Sequence, residues 1–281
     1  MKKTCHISFL ILLVFAAGVF VTYAQKRVSF KISAYHCSEN SPAEDFLIAH
    51  AGGAIDEKLY SNSKEAIEKS ISKGVKFIEI DLQESSDGFL VGAHDWKKFN
   101  EQTGYGGLGD QVPTLSEFKK RKIYGRYTPI DEDFIRKIMN EHQNLVLVTD
   151  KINNFDKIVK AFDFQNRIIV EVFSFEDYRA AKKYGIKNPA LCVEQGSFVF
   201  AESYIKQIFK EGVNMVTLGE DTYLANKELL LKLRRKGLTV LLYGSPFHQI
   251  VNNAKEIKEG AGKFFDFVYT DFCAPDMVCK P

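Results

Sequence analysis

The chain has few of the features that mark nucleic-acid-binding or zinc-binding proteins. Its 281 residues carry a net charge of only +2, and no basic run is long enough to indicate a nucleic acid partner. The five cysteines match no zinc-ligand spacing. No proline- or serine-rich linker divides the sequence, and after the N-terminal region no segment is long and apolar enough to cross a membrane. With 45% hydrophobic residues, the chain can bury one large core.

The first 24 residues have the pattern of a secretory signal peptide. Two lysines precede the apolar run Ser8–Ala24, and small residues at Thr22 and Ala24 suit cleavage before Gln25. An uncleaved anchor is the alternative, because the run is near the short limit for a membrane span. We therefore expect an exported protein, periplasmic or extracellular, that stays attached to the membrane if the signal is retained.

Export allows the remaining cysteines to form disulfides. Cys37 and Cys279 lie near the two ends of the mature chain and can pair if the termini meet. Cys192 lies in a strand-like run, where a buried thiol is expected.

Short apolar segments alternate with amphipathic helical patterns along the mature chain. The predicted strands are residues 46–50, 77–82, 89–95, 145–150, 167–173, 190–194, 215–219, 239–244 and 266–272. Helical patterns fill most of the intervals, and several of them end at a glycine. Repeated β-α units predict parallel strands covered by helices.

Nine strands are one more than an eightfold barrel holds. The second and third are joined by little more than Ser85–Gly88, which is too short for a parallel crossover, so we expect an antiparallel hairpin. The remaining eight predict an α/β fold of the (β/α)8 TIM-barrel type over residues 45–281, with the hairpin as an arm after the second strand. Residues 25–44 are then an N-terminal extension. The stretch Asn100–Arg126 is expected to be a long loop with one short helix.

Two histidines and two carboxylates come together if the hairpin turns about Ser86–Asp87. The numbers of cross-strand partners then sum to about 173, which puts His94 opposite Glu79 on one face. Asp81 shares that face because strand side chains alternate. His50 ends the neighbouring first strand. We expect these four side chains at the carboxyl-end rim of the barrel, where such enzymes carry their chemistry.

This set of residue types suits metal-assisted cleavage of a phosphodiester. Two carboxylates are ligands for Ca²⁺ or Mg²⁺, and such a cation binds a phosphate oxygen and offsets developing charge. One imidazole can deprotonate the nucleophile while the other protonates the leaving alkoxide. Taken alone, a strand-end histidine is more often a structural group; the combination favours catalysis. Trp96, close to His94, is interpreted as a packing residue.

At these residues the sequence resembles the glycerophosphodiester phosphodiesterase family, part of the phosphatidylinositol phospholipase C-like barrels. The matching segments are His50-Ala51-Gly52, Ser61-Asn62-Ser63, Ala66, Gly74, Glu79-Ile80-Asp81, Ser85-Ser86-Asp87-Gly88 and His94-Asp95. Residues 172–178 and 267–272 match more weakly. The resemblance implies a TIM barrel, His50 and His94 as acid and base, and Glu79 and Asp81 as metal ligands.

The sequence also departs from the family pattern. The family's third acidic ligand stands two residues before a lysine on the fourth strand; here Asp150 directly precedes Lys151, and Glu171 is the alternative ligand. The family's arginine, which contacts the substrate phosphate, is replaced by Ala51. Lys151, a loop lysine or the metal must then bind the phosphate, or the head group differs. Tyr243 stands where the family has a tryptophan.

We therefore expect an exported metal-dependent phosphodiesterase that acts on glycerophosphodiesters or a related phospholipid head group. Its partner is a small-molecule or lipid-derived phosphodiester, with no nucleic acid and with peripheral membrane contact left open. One alternative is a phospholipase C- or D-like enzyme acting on intact lipid. The other is a non-catalytic barrel that binds a phospho-ligand, which the departures at Ala51 and Lys151 favour.

Overall fold

Eight parallel strands close into a barrel in the computed structural model, which describes residues 43–193, 202–244, 262 and 264–271. The strands are β1 Leu47–Ala49, β2 Phe77–Glu84, β3 Leu90–Gly92, β4 Val146–Asp150, β5 Ile168–Val172, β6 Asn188–Val193, β7 Met215–Gly219, β8 Thr239–Tyr243 and β9 Phe267–Thr270. Parallel pairing runs in the order β1-β9-β8-β7-β6-β5-β4-β2, and β1 pairs with β2 to close the ring. The predicted TIM barrel is confirmed.

Helices connect most of the strands. They are α1 Lys64–Ser72, α2 Trp96–Gln102, α3 Leu115–Lys120, α4 Glu132–Glu141, α5 Phe155–Ala161, α6 Phe175–Tyr184, α7 Glu202–Lys210 and α8 Glu220–Arg235. Several begin at a residue whose side chain accepts a backbone N–H: Ser63 caps α1 and Ser174 caps α6. As predicted, α6 ends at Gly185, which adopts the left-handed conformation that favours glycine.

Apolar helix residues and strand residues form one large core. In α4, Ile135, Ile138 and Met139 are buried together with the side chains of β4. Central strands such as β4 and β5 are buried along their whole length, as parallel strands covered by helices are. Cys192 is buried in β6, as expected from its strand-like surroundings.

The antiparallel arm after β2 is confirmed, but its predicted register is wrong by one residue. Leu82 pairs with Gly92 and Glu84 with Leu90, so partner numbers sum to 174 rather than 173. The hairpin has a three-residue loop centred on Asp87, with Gly88 at φ +85°, instead of a two-residue turn. The β2–β3 pairing therefore does not place His94 opposite Glu79. Strand β3 ends at Gly92, so it is shorter than predicted, although the Ala93 N–H still donates to the Asp81 carbonyl.

The stretch Asn100–Arg126 is more ordered than a loop with one helix. It includes the end of α2, a 3-10 turn at Gly106–Leu108 and α3, which Thr114 and Glu117 begin with a reciprocal capping box. Phe99 and Phe118 stack with ring centroids 4.5 Å apart and belong to a second, smaller apolar cluster. Trp96 packs edge-on against both phenylalanines, in agreement with its interpretation as a packing residue.

Residues 1–42 and 272–281 lie outside the described part of the chain. The signal peptide at 1–24, nearly all of the extension at 25–44 and the pairing of Cys37 with Cys279 therefore stay predictions. In the ranges that are described, no helix combines the length and the apolar character needed to span a membrane.

Candidate active site

All six residues predicted for the site line one cavity at the carboxyl-end rim of the barrel. They are His50, Glu79, Asp81, His94, Asp150 and Lys151. His50 follows β1, the acidic side chains belong to β2 and β4, and His94 lies between β3 and α2. Although the hairpin register differs from the prediction, the segment that leaves β3 brings His94 to the same cavity.

Three carboxylates form the centre of this cavity. Glu79, Asp81 and Asp150 are buried, and each offers an oxygen within 4.8 Å of the others. Strand geometry explains the cluster: Glu79 and Asp81 lie two residues apart on β2, and Asp81 pairs directly with Asp150 across the parallel β2–β4 ladder. Three oxygen ligands this close together are the donor set that a hard divalent cation prefers.

The like charges of these carboxylates repel one another. Burial and the neighbouring Asp81 and Asp150 raise the pKa of Glu79 well above its usual range, even though the backbone N–H of Ala51 donates to it. Burial and Asp81 raise the pKa of Asp150 to about 8, against the attraction of Lys151. Burial and like-charged neighbours both disfavour the ionised form of a carboxyl group.

One atom of the cluster supports cation binding directly. In the described part of the chain, the buried Oδ1 of Asp150 has no hydrogen-bond partner, whereas its Oδ2 lies 2.7 Å from Nζ of Lys151. An unsatisfied buried carboxylate oxygen is costly, and a cation would satisfy it. The residues present therefore fit Ca²⁺ or Mg²⁺, held by Glu79, Asp81 and Asp150.

Backbone and amide groups orient the β2 carboxylates. The N–H of Ala51 donates to Oε2 of Glu79 at 2.6 Å. Asn62 donates through Nδ2 to Oδ2 of Asp81 at 2.8 Å, and its Oδ1 accepts the backbone N–H of the same aspartate at 3.0 Å. Ala51 and Asn62 both have positive φ, which a non-glycine residue adopts only when its surroundings hold it there.

Each histidine contacts an aspartate through Nδ1. His50 Nδ1 lies 2.8 Å from Oδ1 of Asp271, and His94 Nδ1 lies 2.6 Å from Oδ2 of Asp95. If Nδ1 of each ring carries the proton shared with the carboxylate, Nε2 is the nitrogen left to face a ligand. Asp95 has a second function, since its other oxygen caps α2.

Sequence reasoning missed Tyr60 and Tyr269, which line the cavity, and Asp271, which contacts His50. The ring of Tyr60 lies edge-on to both histidines, with centroids 4.5 Å from His50 and 5.4 Å from His94. Asp271 follows β9, so the rule that barrel chemistry lies at the carboxyl ends of strands would have identified it. Tyr60 lies in an irregular segment and carried no comparable sequence signal.

Glu171 also faces the cavity, as its position in β5 suggested, but one of its two carboxylate oxygens already accepts hydrogen bonds. Its Oε1 accepts hydrogen bonds from the hydroxyl groups of Tyr269 and Thr217. Burial raises its pKa, while these two donors act in the opposite direction. Glu171 is not part of the close three-carboxylate cluster, so the geometry favours Asp150 as the third ligand. Tyr243 lines the cavity wall as well.

Similarity to known proteins agrees with this geometry. No family model matches the chain. Over 154 residues it is 28% identical to the glycerophosphodiester phosphodiesterase of Caldanaerobacter subterraneus subsp. tengcongensis, an alignment that covers 49% of this chain. The chain spans only 61% of that relative's length. The resemblance seen in the sequence motifs therefore reappears in direct comparison.

Solved structures of phosphodiesterases share the fold. The Thermotoga maritima glycerophosphodiester phosphodiesterase superposes with a TM-score of 0.61 at 20% identity, covering 81% of this chain and 94% of that one. An Oleispira antarctica phosphodiesterase, in complex with the product sn-glycerol-3-phosphate, superposes with a TM-score of 0.62 at 15% identity, covering 81% and 93%. The Caldanaerobacter relative and the Thermotoga structure both carry the name glycerophosphodiester phosphodiesterase. At these identities the solved structures establish the barrel, and the chemistry is argued from the site.

Proposed function

We propose that this chain is an exported, divalent-cation-dependent phosphodiesterase that hydrolyses glycerophosphodiesters or a related phospholipid head-group phosphodiester. The proposal rests on the buried cluster of Glu79, Asp81 and Asp150, whose ligand oxygens lie within 4.8 Å of one another. His50 and His94 line the same cavity. The name of the curated relative and the product bound to the Oleispira neighbour support this substrate class. Export rests on the N-terminal signal pattern.

The three carboxylates would hold Ca²⁺ or Mg²⁺. When bound there, such a cation would supply Lewis-acid stabilisation of the charge that develops on the phosphate during displacement. Asn62 and the Ala51 N–H hold Asp81 and Glu79 in place before the ligand arrives. A preorganised cluster avoids reorganisation at the moment of reaction.

The two histidines divide the proton transfers between them. One accepts the proton of the attacking hydroxyl at Nε2, while the other donates a proton to the leaving alkoxide oxygen. Water as nucleophile gives an alcohol and a phosphomonoester; a neighbouring substrate hydroxyl gives a cyclic phosphate first. Asp271 and Asp95 stabilise the protonated ring of His50 and His94 and keep each in one tautomer.

A substrate panel tests the proposal. Purified protein should release an alcohol and a phosphomonoester from glycerophosphocholine, glycerophosphoethanolamine or glycerophosphoinositol when Ca²⁺ or Mg²⁺ is present, and not in EDTA. His50→Ala and His94→Ala should each lower kcat by roughly 100-fold or more. His142→Ala is the matched control, because His142 is exposed at the end of α4.

Other outcomes separate the remaining hypotheses. Cleavage of phosphatidylinositol vesicles without cleavage of water-soluble diesters would indicate a phospholipase. Calorimetric binding of a phosphodiester without turnover, together with unchanged behaviour of His94→Ala, would indicate a non-catalytic barrel. Export is checked by cell fractionation and by N-terminal sequencing of the mature protein, which is expected to begin at Gln25.

A further inference from the structure

A lysine that no motif includes lies close to the proposed catalytic groups. The Nζ of Lys98 is 3.5 Å from the ring centroid of Tyr60, a cation–π contact. Asp95 sets this position, since its Oδ1 accepts the backbone N–H of Lys98 at 2.7 Å while its Oδ2 contacts His94. The segment that carries His94 therefore also carries the positively charged Lys98.

Tyr60 contacts both Lys98 and the two histidines. Its ring, which supports the Lys98 ammonium, lies edge-on to His50 and to His94. Tyr60 also lines the cavity that contains the carboxylate cluster. Lys98 is not among the described residues that line the cavity, but Asp81 and Asp271 act on its charge, so its flexible end lies close to the cavity wall that Tyr60 forms.

The charge of Lys98 is not neutralised by direct contact. Burial lowers its pKa, and the carboxylates of Asp81, Asp95 and Asp271 act against that effect from a distance. Within the described ranges of the chain, Lys98 forms no ion pair. Lys151, the cation predicted for the phosphate, is instead 2.7 Å from Oδ2 of Asp150.

Ala51 cannot bind a phosphate through its side chain. It is fully buried, and its backbone N–H is committed to Glu79. With the cation held by the carboxylates, a positively charged side chain would add a second, directional donor to the phosphate, as an arginine at position 51 would. Within the described residues, Lys151 is paired with Asp150, whereas Lys98 has no ion-pair partner.

We propose that Lys98, supported by the Tyr60 ring, is a substrate-binding residue that donates to a non-bridging oxygen of the phosphate group. This inference deepens the proposed function and rests on it for the identity of the ligand. Lys98 would supply the positive charge that the resemblance places at position 51. The ammonium moves from the aromatic face to the phosphate without breaking an ion pair.

Substitutions at two adjacent lysines test the inference. Lys98→Met keeps an unbranched apolar stem and removes the charged ammonium. The kcat/KM for the best glycerophosphodiester should then fall by roughly 10- to 100-fold. Lys98→Arg should recover most of this loss. Lys97→Met is the matched control, since Lys97 is the exposed neighbour on the same helix, and it should stay near wild-type activity.

Binding of inorganic phosphate gives a readout that a structural role would not change. By calorimetry with the cation present, Lys98→Met should weaken phosphate binding by roughly tenfold, while Lys97→Met leaves it unchanged. The melting temperature of Lys98→Met should match that of the wild type. If Lys98→Met does not fold, Lys98→Gln replaces it in both assays.

The two proposals fail in different ways. If the wild type hydrolyses no phosphodiester, the proposed function is wrong, and phosphate calorimetry still compares the wild type with Lys98→Met. If the wild type is active but Lys98→Met and Lys97→Met have equal kcat/KM and equal phosphate affinity, the inference about Lys98 is overturned. Loss of activity that Lys98→Arg does not recover, with unchanged phosphate affinity, also overturns it.

Discussion

Oδ1 of Asp271 lies 2.8 Å from Nδ1 of His50, although 221 residues separate them in the sequence. Barrel closure explains the contact. Strands β1 and β9 are parallel neighbours, with Ala49 paired to Thr270, so the residues that follow each strand lie side by side. The first and last strands thus combine to build one imidazole–carboxylate pair.

Asp271→Asn tests the importance of this pair. An amide can donate its own N–H to Nδ1 and so favour the wrong imidazole tautomer. We expect kcat to fall by roughly 10- to 100-fold with KM little changed, because the substitution alters proton transfer rather than binding. Steady-state kinetics measures this, with the exposed Asp110→Asn as control. An unchanged kcat would show that Asp271 does not orient a catalytic base.

Cation binding should depend on Asp150 and not on Glu171. A saturating divalent cation should raise the free energy of unfolding by about 2.7 kcal/mol at 100 times its Kd. Asp150→Asn should remove most of that increase, because it changes a member of the close carboxylate cluster. Glu171→Gln should retain the increase, since Glu171 lies outside the close carboxylate cluster and its Oε1 already accepts from Tyr269 and Thr217. Denaturant unfolding with Ca²⁺, with Mg²⁺ and with EDTA distinguishes the two variants; the reverse pattern would make Glu171 the third ligand.

The affinity for the cation should rise with pH. The pKa of Glu79 is raised well above its usual range, and that of Asp150 is raised to about 8, by burial and by neighbouring carboxylates. Because a cation binds the ionised carboxylates, protons compete with it below these values. The Kd measured by calorimetry should decrease as the pH rises towards about 8, with proton release visible in buffers of different ionisation enthalpy. A Kd independent of pH would contradict the shifted values.

The raised pKa of Asp150 should make the cation-free protein less stable as the pH rises. The folded-state pKa of Asp150, about 8, lies above its unfolded value. Its stabilising contribution is therefore complete below the unfolded pKa and is lost as the pH rises through about 8. In EDTA, Asp150→Asn should gain stability relative to the wild type as the pH rises from the unfolded-state pKa of Asp150 to about 8. Urea unfolding at a series of pH values measures this difference. A constant difference would argue that Asp150 titrates normally.

Gly88 should be needed for the hairpin register. Its φ of +85° allows the three-residue loop that centres the turn on Asp87, and an L-residue there is strained. Gly88→Ala should cost about 1–2 kcal/mol of unfolding free energy. Gly107→Ala is the control, because a Cβ at Gly107 meets no atom within 4 Å and needs no positive φ. Equal stability of the two variants would contradict this account of the turn.

The local sequence was sufficient to predict much of the fold. A connection too short for a parallel crossover required the β2–β3 arm to be antiparallel, and eight further strands then implied a closed barrel. The hairpin register was wrong because a turn of two residues and a turn of three residues are equally compatible with the letters Ser-Ser-Asp-Gly. That choice is made by Gly88 and by the packing of β3, which sequence patterns do not reveal.

The sequence by itself determined the residue types of the site. Strand alternation put Glu79 and Asp81 on one face, and the position of His50 and Asp150 at strand ends placed them at the rim where the chemistry of a barrel lies. Only the tertiary structure decided which distant groups meet: Asp271 with His50, Tyr269 with Glu171, and Lys98 with Tyr60. These contacts depend on barrel closure and on where α2 begins, and both arise from long-range packing rather than from spacing along the chain.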